Sequence, residues 1–180
     1  ALVSINSFNS NLQESIDNQA KDLLGADFVV RAKNVFEPEL LAVIDSINAE
    51  KAKEADLASM VMFNTSTPGV RLVRIVALDG DFPFYGNLET LPTNAAELMK
   101  NKPYAMMDQN LMSQYDVSGD DSVKIGKMMF KIAGEVVQIP GGGGIQSTFT
   151  PSVYIDYKYL DSTGLIQYGS RVDYKQYFKT

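Results

Sequence analysis

Acid–base chemistry in this 180-residue chain would have to rest on carboxylates or lysines, because the chain contains no histidine and no cysteine. Catalytic triads and dyads that depend on histidine, and zinc sites built on histidine or cysteine, are therefore excluded. One carboxylate pair that a hydrolase could use is Asp79 and Asp81. Such an enzyme would hold its two carboxyl groups about 5 to 9 Å apart in a cleft. Aspartate and glycine are also ordinary turn residues, so a plain surface turn is the alternative interpretation.

Two other segments are candidates for contacts with a partner or a substrate. The glycine run at 141–144 lacks the lysine and the following helix of a phosphate-binding loop, which favours a mobile hairpin tip. Such a tip could still touch a partner, since loops often carry contacts. The aromatic residues of the segment DGDFPFYG either pack between two parts of the protein or form an exposed contact. The candidate contact residues are Phe82, Phe84, Tyr85, Gly141, Gly142, Gly143 and Gly144. No pattern predicts a catalytic residue, a cofactor or a metal.

The composition is that of a globular protein, with 45% apolar and 21% charged residues. The net charge of -6 argues against a nucleic-acid partner. No apolar run reaches the roughly 20 residues that a membrane helix needs.

The first third of the chain predicts alternating helices and strands. Apolar residues recur every three or four positions from Leu2 to Leu23, which is typical of a long helix that Gly25 ends. A strand at 26–32 and a helix that begins near Pro38 follow. The stretches 57–64 and 70–77 predict a β-hairpin.

The rest of the chain is richer in predicted strands. Short helices are expected at 95–100 and 110–115, a strand at 105–108, a hairpin at 122–125 and 128–138, and strands around 153–157 and 168–178. The methionines, including Met60, Met62 and Met129, are expected to fill the core, with an adaptable binding surface as the alternative. The closing aromatic residues and lysines fit either a strand or a membrane interface. They are Tyr168, Tyr174, Lys175, Tyr177, Phe178 and Lys179.

Together these elements predict the α+β class. Residues 1–78 and 151–180 are expected to form a discontinuous porter-like part, a βαββαβ sheet with helices on one face. Residues 79–150 are expected to form a smaller β-rich insertion.

Four stretches resemble the MacB/FtsX-type ABC transporter permeases, and within them the YbbP-like branch. The stretches are KDLLGADF at 21–28, RLVRIVALDGDFPFYG at 71–86, the segment from Ser118 to Gly134, and GLIQYGSRV at 164–172. The resemblance extends over nearly the whole chain. It implies the periplasmic domain between the first and second membrane helices of a permease, on the outer side of a bacterial inner membrane.

The resemblance also implies what the domain would do and with whom. It implies a non-catalytic role that couples ATP hydrolysis by a cytoplasmic ABC ATPase subunit to events outside the membrane. Membrane helices would flank both ends, the full protein would be dimeric or part of a permease pair, and the substrate would be a lipid, lipoprotein or peptide. It favours the membrane interface for the closing aromatic residues. A soluble secreted ligand-binding module and a carboxylate hydrolase remain as alternatives.

Overall fold

The computed structural model describes residues 15–140 and 150–180. Residues 15–24 form helix α1. The elements that follow are β1 (Phe28–Ala32), α2 (Pro38–Ser46), β2 (Glu50–Asn64), β3 (Gly69–Asp79), β4 (Glu89–Leu91), α3 (Ala95–Met99), β5 (Tyr104–Asp108), α4 (Gln109–Gln114), β6 (Ser122–Ile125), β7 (Met128–Gln138), β8 (Ser152–Asp156) and β9 (Asp173–Lys179). Two short 3-10 turns, Tyr157–Tyr159 and Asp161–Thr163, link β8 to β9.

Six of the strands pair in a closed ring. The pairings run from β2 to β3, β8, β5, β7, β6 and back to β2. Closure removes the free strand edges that a flat sheet would expose. Three neighbouring strands of the ring, β2, β3 and β8, come from the predicted porter-like part, and the other three, β5, β7 and β6, come from the predicted insertion. The two groups share one closed ring, and the division into two parts stays a prediction.

The long strand β2 pairs with two different strands along one of its edges. Along one edge, its first half pairs with β9 and its last four residues pair with β6. Strand β9 in turn pairs with β1, antiparallel, so that Phe28 faces Phe178. The first and last strands of the described chain are therefore neighbours.

The main core fills the inside of the ring. Side chains alternate along each strand, and the inward set of β2 and β3 is buried, as Val61, Phe63, Val73 and Ile75 show. A stacked pair of rings, Phe63 and Tyr115, joins this core to the end of α4. A second cluster lies outside the ring, where α3 covers Val76, Leu78 and Met106.

The predicted α+β class is confirmed, and most predicted elements lie within a few residues of their observed bounds. Gly25 ends α1 with a φ of 69°, a left-handed conformation that favours glycine. Residues 2–14 of the predicted first helix lie outside the described residues. Among the described residues, no helix is long and apolar enough to cross a membrane.

Two expectations about side chains are wrong in part. Met106 and Met107 are core residues, but Met60, Met62 and Met129 are between 45% and 54% exposed. Tyr174, Tyr177 and Phe178 are buried in the sheet, so the strand interpretation is right for them and the membrane interface is wrong. Tyr168 stands apart, fully exposed in the loop before β9.

Candidate functional site

The aromatic segment 82–85 lies against α1, β2 and β9. The Phe82 ring is 4.1 Å from the Tyr177 ring, and the Phe84 N–H donates to the Gly25 carbonyl over 2.8 Å. Both phenylalanines pack on Ala26 and Tyr177, while Phe82 also joins the cluster under α3. All three aromatic side chains are half-buried. Phe82 thus connects the cluster near the chain end with the cluster outside the ring.

Asp27 ties three separate parts of the chain together. One carboxylate oxygen is 2.7 Å from the Lys21 ammonium on α1. The other accepts from the Tyr85 hydroxyl over 3.1 Å and from the Thr180 backbone N–H over 2.8 Å. The last turn of α1, the aromatic segment and the end of β9 therefore meet at one carboxylate, which we call the Asp27 junction.

The charge of the junction is held in place by its hydrogen bonds. The Lys21 ammonium, followed by the Thr180 N–H, lowers the pKa of Asp27 well below its usual range. Burial and the neighbouring Asp27 carboxylate raise the pKa of the Tyr85 hydroxyl. The junction therefore consists of a carboxylate, an ammonium and a neutral phenol across the whole physiological pH range.

Replacing Asp27 by asparagine should remove a pH-dependent part of the stability. Because the pKa of Asp27 is lower in the folded protein, its contribution is complete above about pH 5 and is lost as the pH falls towards the folded-state pKa. In urea denaturation, the stabilities of the wild type and Asp27→Asn should therefore differ most near pH 7, and the difference should begin to shrink below about pH 4. Asp120→Asn, the same change at an exposed turn residue, should leave the pH dependence of the wild type unchanged. A gap for Asp27→Asn that stays constant with pH would contradict the assignment.

A cleft of about 480 Å³ opens beside Phe82, between the end of β3, α3 and the turn after β8. Its apolar lining comes from Leu78, Phe82, Leu88, Met99 and Met106. Its polar rim includes Lys158 and the 2.6 Å ion pair between Asp81 and Lys100. At the same rim, the Asp156 carboxylate accepts the Asn101 and Lys158 backbone N–H groups over 2.6 and 2.8 Å. An apolar floor with a polar rim suits a ligand that has an apolar body.

The carboxylate pair proposed for a hydrolase lines this cleft but is poorly placed for that chemistry. The side chains of Asp79 and Asp81 are 58% and 82% exposed. The Lys100 ammonium lowers the pKa of Asp81. A general acid needs the opposite shift, towards neutral pH. The surface-turn interpretation fits these two residues better.

A buried ion cluster is linked to the Phe82 ring through Tyr177. The Lys175 ammonium on β9 contacts the Glu54 carboxylate and lies 2.9 Å from the Asp56 carboxylate, both on β2. The Tyr177 hydroxyl donates to the second Glu54 oxygen over 2.8 Å. All three charged side chains are at most 13% exposed. The cluster joins β2 to β9.

The structure brings some of the predicted contact residues together and leaves others apart. Tyr85 belongs to the Asp27 junction, Phe84 bonds to Gly25 beside it, and Phe82 lines the cleft. Gly141, Gly142, Gly143 and Gly144 lie outside the described residues. Sequence reasoning missed Lys21, Asp27 and Thr180, since residues so far apart form no local pattern; the proximity of Asp27 to the end of the predicted first helix was the available signal.

The α+β fold is similar to that of a solved domain from a permease protein. A solved domain of a putative permease protein from Porphyromonas gingivalis has a TM-score of 0.52, with 8% identity over 78% of this chain and 61% of that one. The periplasmic region of MacB from Actinobacillus actinomycetemcomitans has a TM-score of 0.45, with 13% identity over 82% of this chain and 66% of that one. No protein-family model matches the chain.

In sequence, the chain is similar to one particular permease. It is 24% identical over 180 residues to the uncharacterized ABC transporter permease YbbP of Escherichia coli (strain K12). The alignment covers 98% of this chain and 21% of that protein, so the chain spans about a fifth of its relative. The resemblance to MacB/FtsX-type permeases and their YbbP-like branch is thereby confirmed.

Proposed function

We propose that this chain is the extracytoplasmic domain of a bacterial ABC transporter permease and that it is not catalytic. The observation that carries the proposal is the alignment of 98% of the chain with a segment of a permease. In such a protein a cytoplasmic ABC ATPase subunit hydrolyses ATP, and membrane helices pass the resulting motion to the domain outside. The full-length protein would act as a dimer or as one member of a permease pair.

The Asp27 junction supports a role in passing on motion. Residues 21, 27 and 180 meet there, so helix α1 and the end of β9 are held as one unit. A displacement of membrane helices attached at these two places would reach the domain through the junction. From there, Phe82 leads to the cleft. This is a rigid-body or hinge type of transmission.

We assign the substrate or partner contact to Phe82 and the cleft that it lines. The apolar floor and the polar rim favour a lipid, lipoprotein or peptide with an apolar part. Phe84 and Tyr85 hold the segment in place through Gly25 and Asp27. The glycine run at 141–144 stays a predicted second contact.

The location can be tested by single-cysteine labelling, because the 180 residues contain no cysteine of their own. A Cβ at Gly119 would meet no atom within 4 Å, so Gly119→Cys presents a thiol without strain. In the full-length protein, with any cysteines elsewhere replaced by serine, a membrane-impermeant maleimide should label Gly119→Cys in intact spheroplasts.

Ala105→Cys is the matched control, since Ala105 is fully buried. It should react only after denaturation, which would show that the reagent reports on the folded domain. Labelling of Gly119→Cys only after the cells are lysed would overturn the proposed location.

The cleft also favours a second candidate function, that of a secreted ligand-binding module that works without a membrane part. The two candidates differ in where the native gene product is found. An antibody against the 180 residues should detect it in the membrane fraction if it is a permease domain, and in the soluble periplasmic or secreted fraction if it is a free module.

A further inference from the structure

Five apolar side chains are exposed on the outside of the strand ring, four of them in two neighbouring cross-strand pairs. Met60 stands opposite Leu72, and Met62 stands opposite Val70, on the paired strands β2 and β3. Met129 reaches the same surface from β7 through β6, where Lys124 stands opposite both Met62 and Met129. We call these five side chains the methionine patch: Met60, Met62, Val70, Leu72 and Met129, which are 54%, 45%, 52%, 52% and 45% exposed.

The fold does not require apolar side chains at the positions of the methionine patch. The intervening residues, such as Val61, Phe63 and Val73, point into the ring and are buried. The outward residues do not contribute to that core, and polar side chains would serve the fold equally well. Contiguous exposed apolar surface of this extent marks an interaction site more often than an isolated exposed residue does.

The surroundings of the methionine patch are basic. Lys124 and Lys131 project from the same outer face. Arg74 follows Leu72 on it but is half-buried near Asp108. Among the described residues, no ion pair involves any of these three cations. The strand stretches 58–64, 70–74, 122–125 and 128–131 contain no aspartate or glutamate.

Two acidic side chains in the loops beside these strands are already engaged. Asp116 accepts from the Ser66 hydroxyl over 2.7 Å at the tip of the β2–β3 hairpin. Asp121 accepts from the backbone and the hydroxyl of Ser118 over 2.7 and 2.8 Å. The surface therefore offers apolar contact area framed by positive charge.

We propose that the methionine patch binds an acidic, amphipathic segment of a partner protein. Apolar side chains of that segment would pack on the methionines, whose flexible side chains adapt to a partner's shape. Its carboxylates would pair with Lys124 and Lys131, which gives specificity and speeds encounter. A two-fold contact between two copies of this face would instead bring the lysines of each copy together.

The position of the methionine patch favours a protein over a lipid surface, and this step rests on the proposed function. Glu50 pairs with Lys179 at the end of the sheet where the chain would leave for the membrane. Met62 lies twelve residues further along β2, which is about 40 Å at 3.3 Å per residue. On the proposed function, the patch lies far along β2 from the end of the sheet nearest the bilayer.

A pair of designed peptides tests the proposal on the 180-residue chain. The strand ring of this chain encloses a hydrophobic core without help from another chain. The acidic probe is a twelve-residue peptide with leucine at every third or fourth position and glutamate or alanine elsewhere; the matched probe has lysine for glutamate. Titration followed by NMR of labelled methionine methyl groups should shift Met60, Met62 and Met129 with the acidic probe. Met106 and Met107, which are fully buried, should not move.

Variants decide whether the surface is the one proposed. Met62→Glu should weaken binding of the acidic probe by about tenfold or more, because it removes apolar area and adds like charge. Val43→Glu, the same kind of change at a 57% exposed position on α2, should bind the probe like the wild type. Equal binding of both probes, or of Met62→Glu and wild type, overturns the proposal.

Two further measurements reveal a different occupant. If light scattering shows that the wild type is a dimer and that Met62→Glu is a monomer, the patch binds a second copy of the chain and not a partner segment. If the wild type floats with vesicles of anionic and zwitterionic phospholipid and Met62→Glu does not, the patch binds a membrane and not a partner segment. Either result overturns this proposal. Neither result changes the expected labelling of Gly119→Cys, which tests the proposed function separately.

Discussion

Replacing Lys175 by methionine should destabilise the domain by about 3 to 5 kcal/mol, because the change leaves the Glu54 and Asp56 carboxylates buried without a cation. Methionine matches the lysine stem in shape, so the loss reports charge rather than packing. Urea denaturation at pH 7 measures it. The triple variant Glu54→Gln, Asp56→Asn, Lys175→Met should recover most of the lost stability, since it removes the buried charges together.

Lys179→Met provides the matched control on the same strand. Its ammonium lies 3.2 Å from the Glu50 carboxylate, but the two side chains are 36% and 63% exposed. Water and salt screen such a pair, so the change should cost at most about 1 kcal/mol. Equal losses for Lys175→Met and Lys179→Met would show that the buried ion cluster contributes no more than a surface pair.

Replacing Gly126 by alanine should destabilise the domain by roughly 2 to 4 kcal/mol. Gly126 opens the turn between β6 and β7 with a φ of 57°, where an L side chain is strained. Its Cβ would also overlap the Thr163 carbonyl, which accepts the Lys127 N–H over 2.8 Å. The Gly126–Lys127 turn cannot easily move away, because the Lys127 N–H bond to Thr163 holds it against the 3-10 turn at 161–163. The free energy of unfolding measures the effect.

Gly119→Ala separates this local clash from the general cost of losing a glycine. The position lies in an exposed turn, and a Cβ there meets nothing within 4 Å. Its stability should remain within about 0.5 kcal/mol of the wild type. If Gly126→Ala behaves like Gly119→Ala, the turn is not held against Thr163 as the structure shows.

Local sequence patterns predicted the strands whose periodicity is clean. The bounds of β6 and β7 agree with prediction residue for residue, because apolar alternation flanks a Gly126–Lys127 turn. The first half of β2 was missed. Its sequence EKAKEAD is rich in helix-forming, charged residues, and only pairing with β9, over a hundred residues away, makes it a strand.

The candidate site was predicted even less completely, for the same physical reason. The aromatic segment was visible because Phe82, Phe84 and Tyr85 are clustered in sequence. The Asp27 junction joins residues 21, 27, 85 and 180, whose proximity depends on the complete sheet. Met60 and Met62 were expected inside because composition cannot say which side of a strand faces the core. The ring closure decides that question.

The pairing of β1 with β9 also determines how the domain would respond to force. Because Phe28 faces Phe178 in an antiparallel pair, the chain leaves both strands at the same end. Pulling these two places apart would open the ladder like a zipper, one hydrogen-bonded pair after another, because the bonds lie across the strands. The Asp27 junction lies at the end of the ladder where this separation would begin, so its contacts would be the first to break. A pull that moved both places together would spare the ladder and carry the domain along whole.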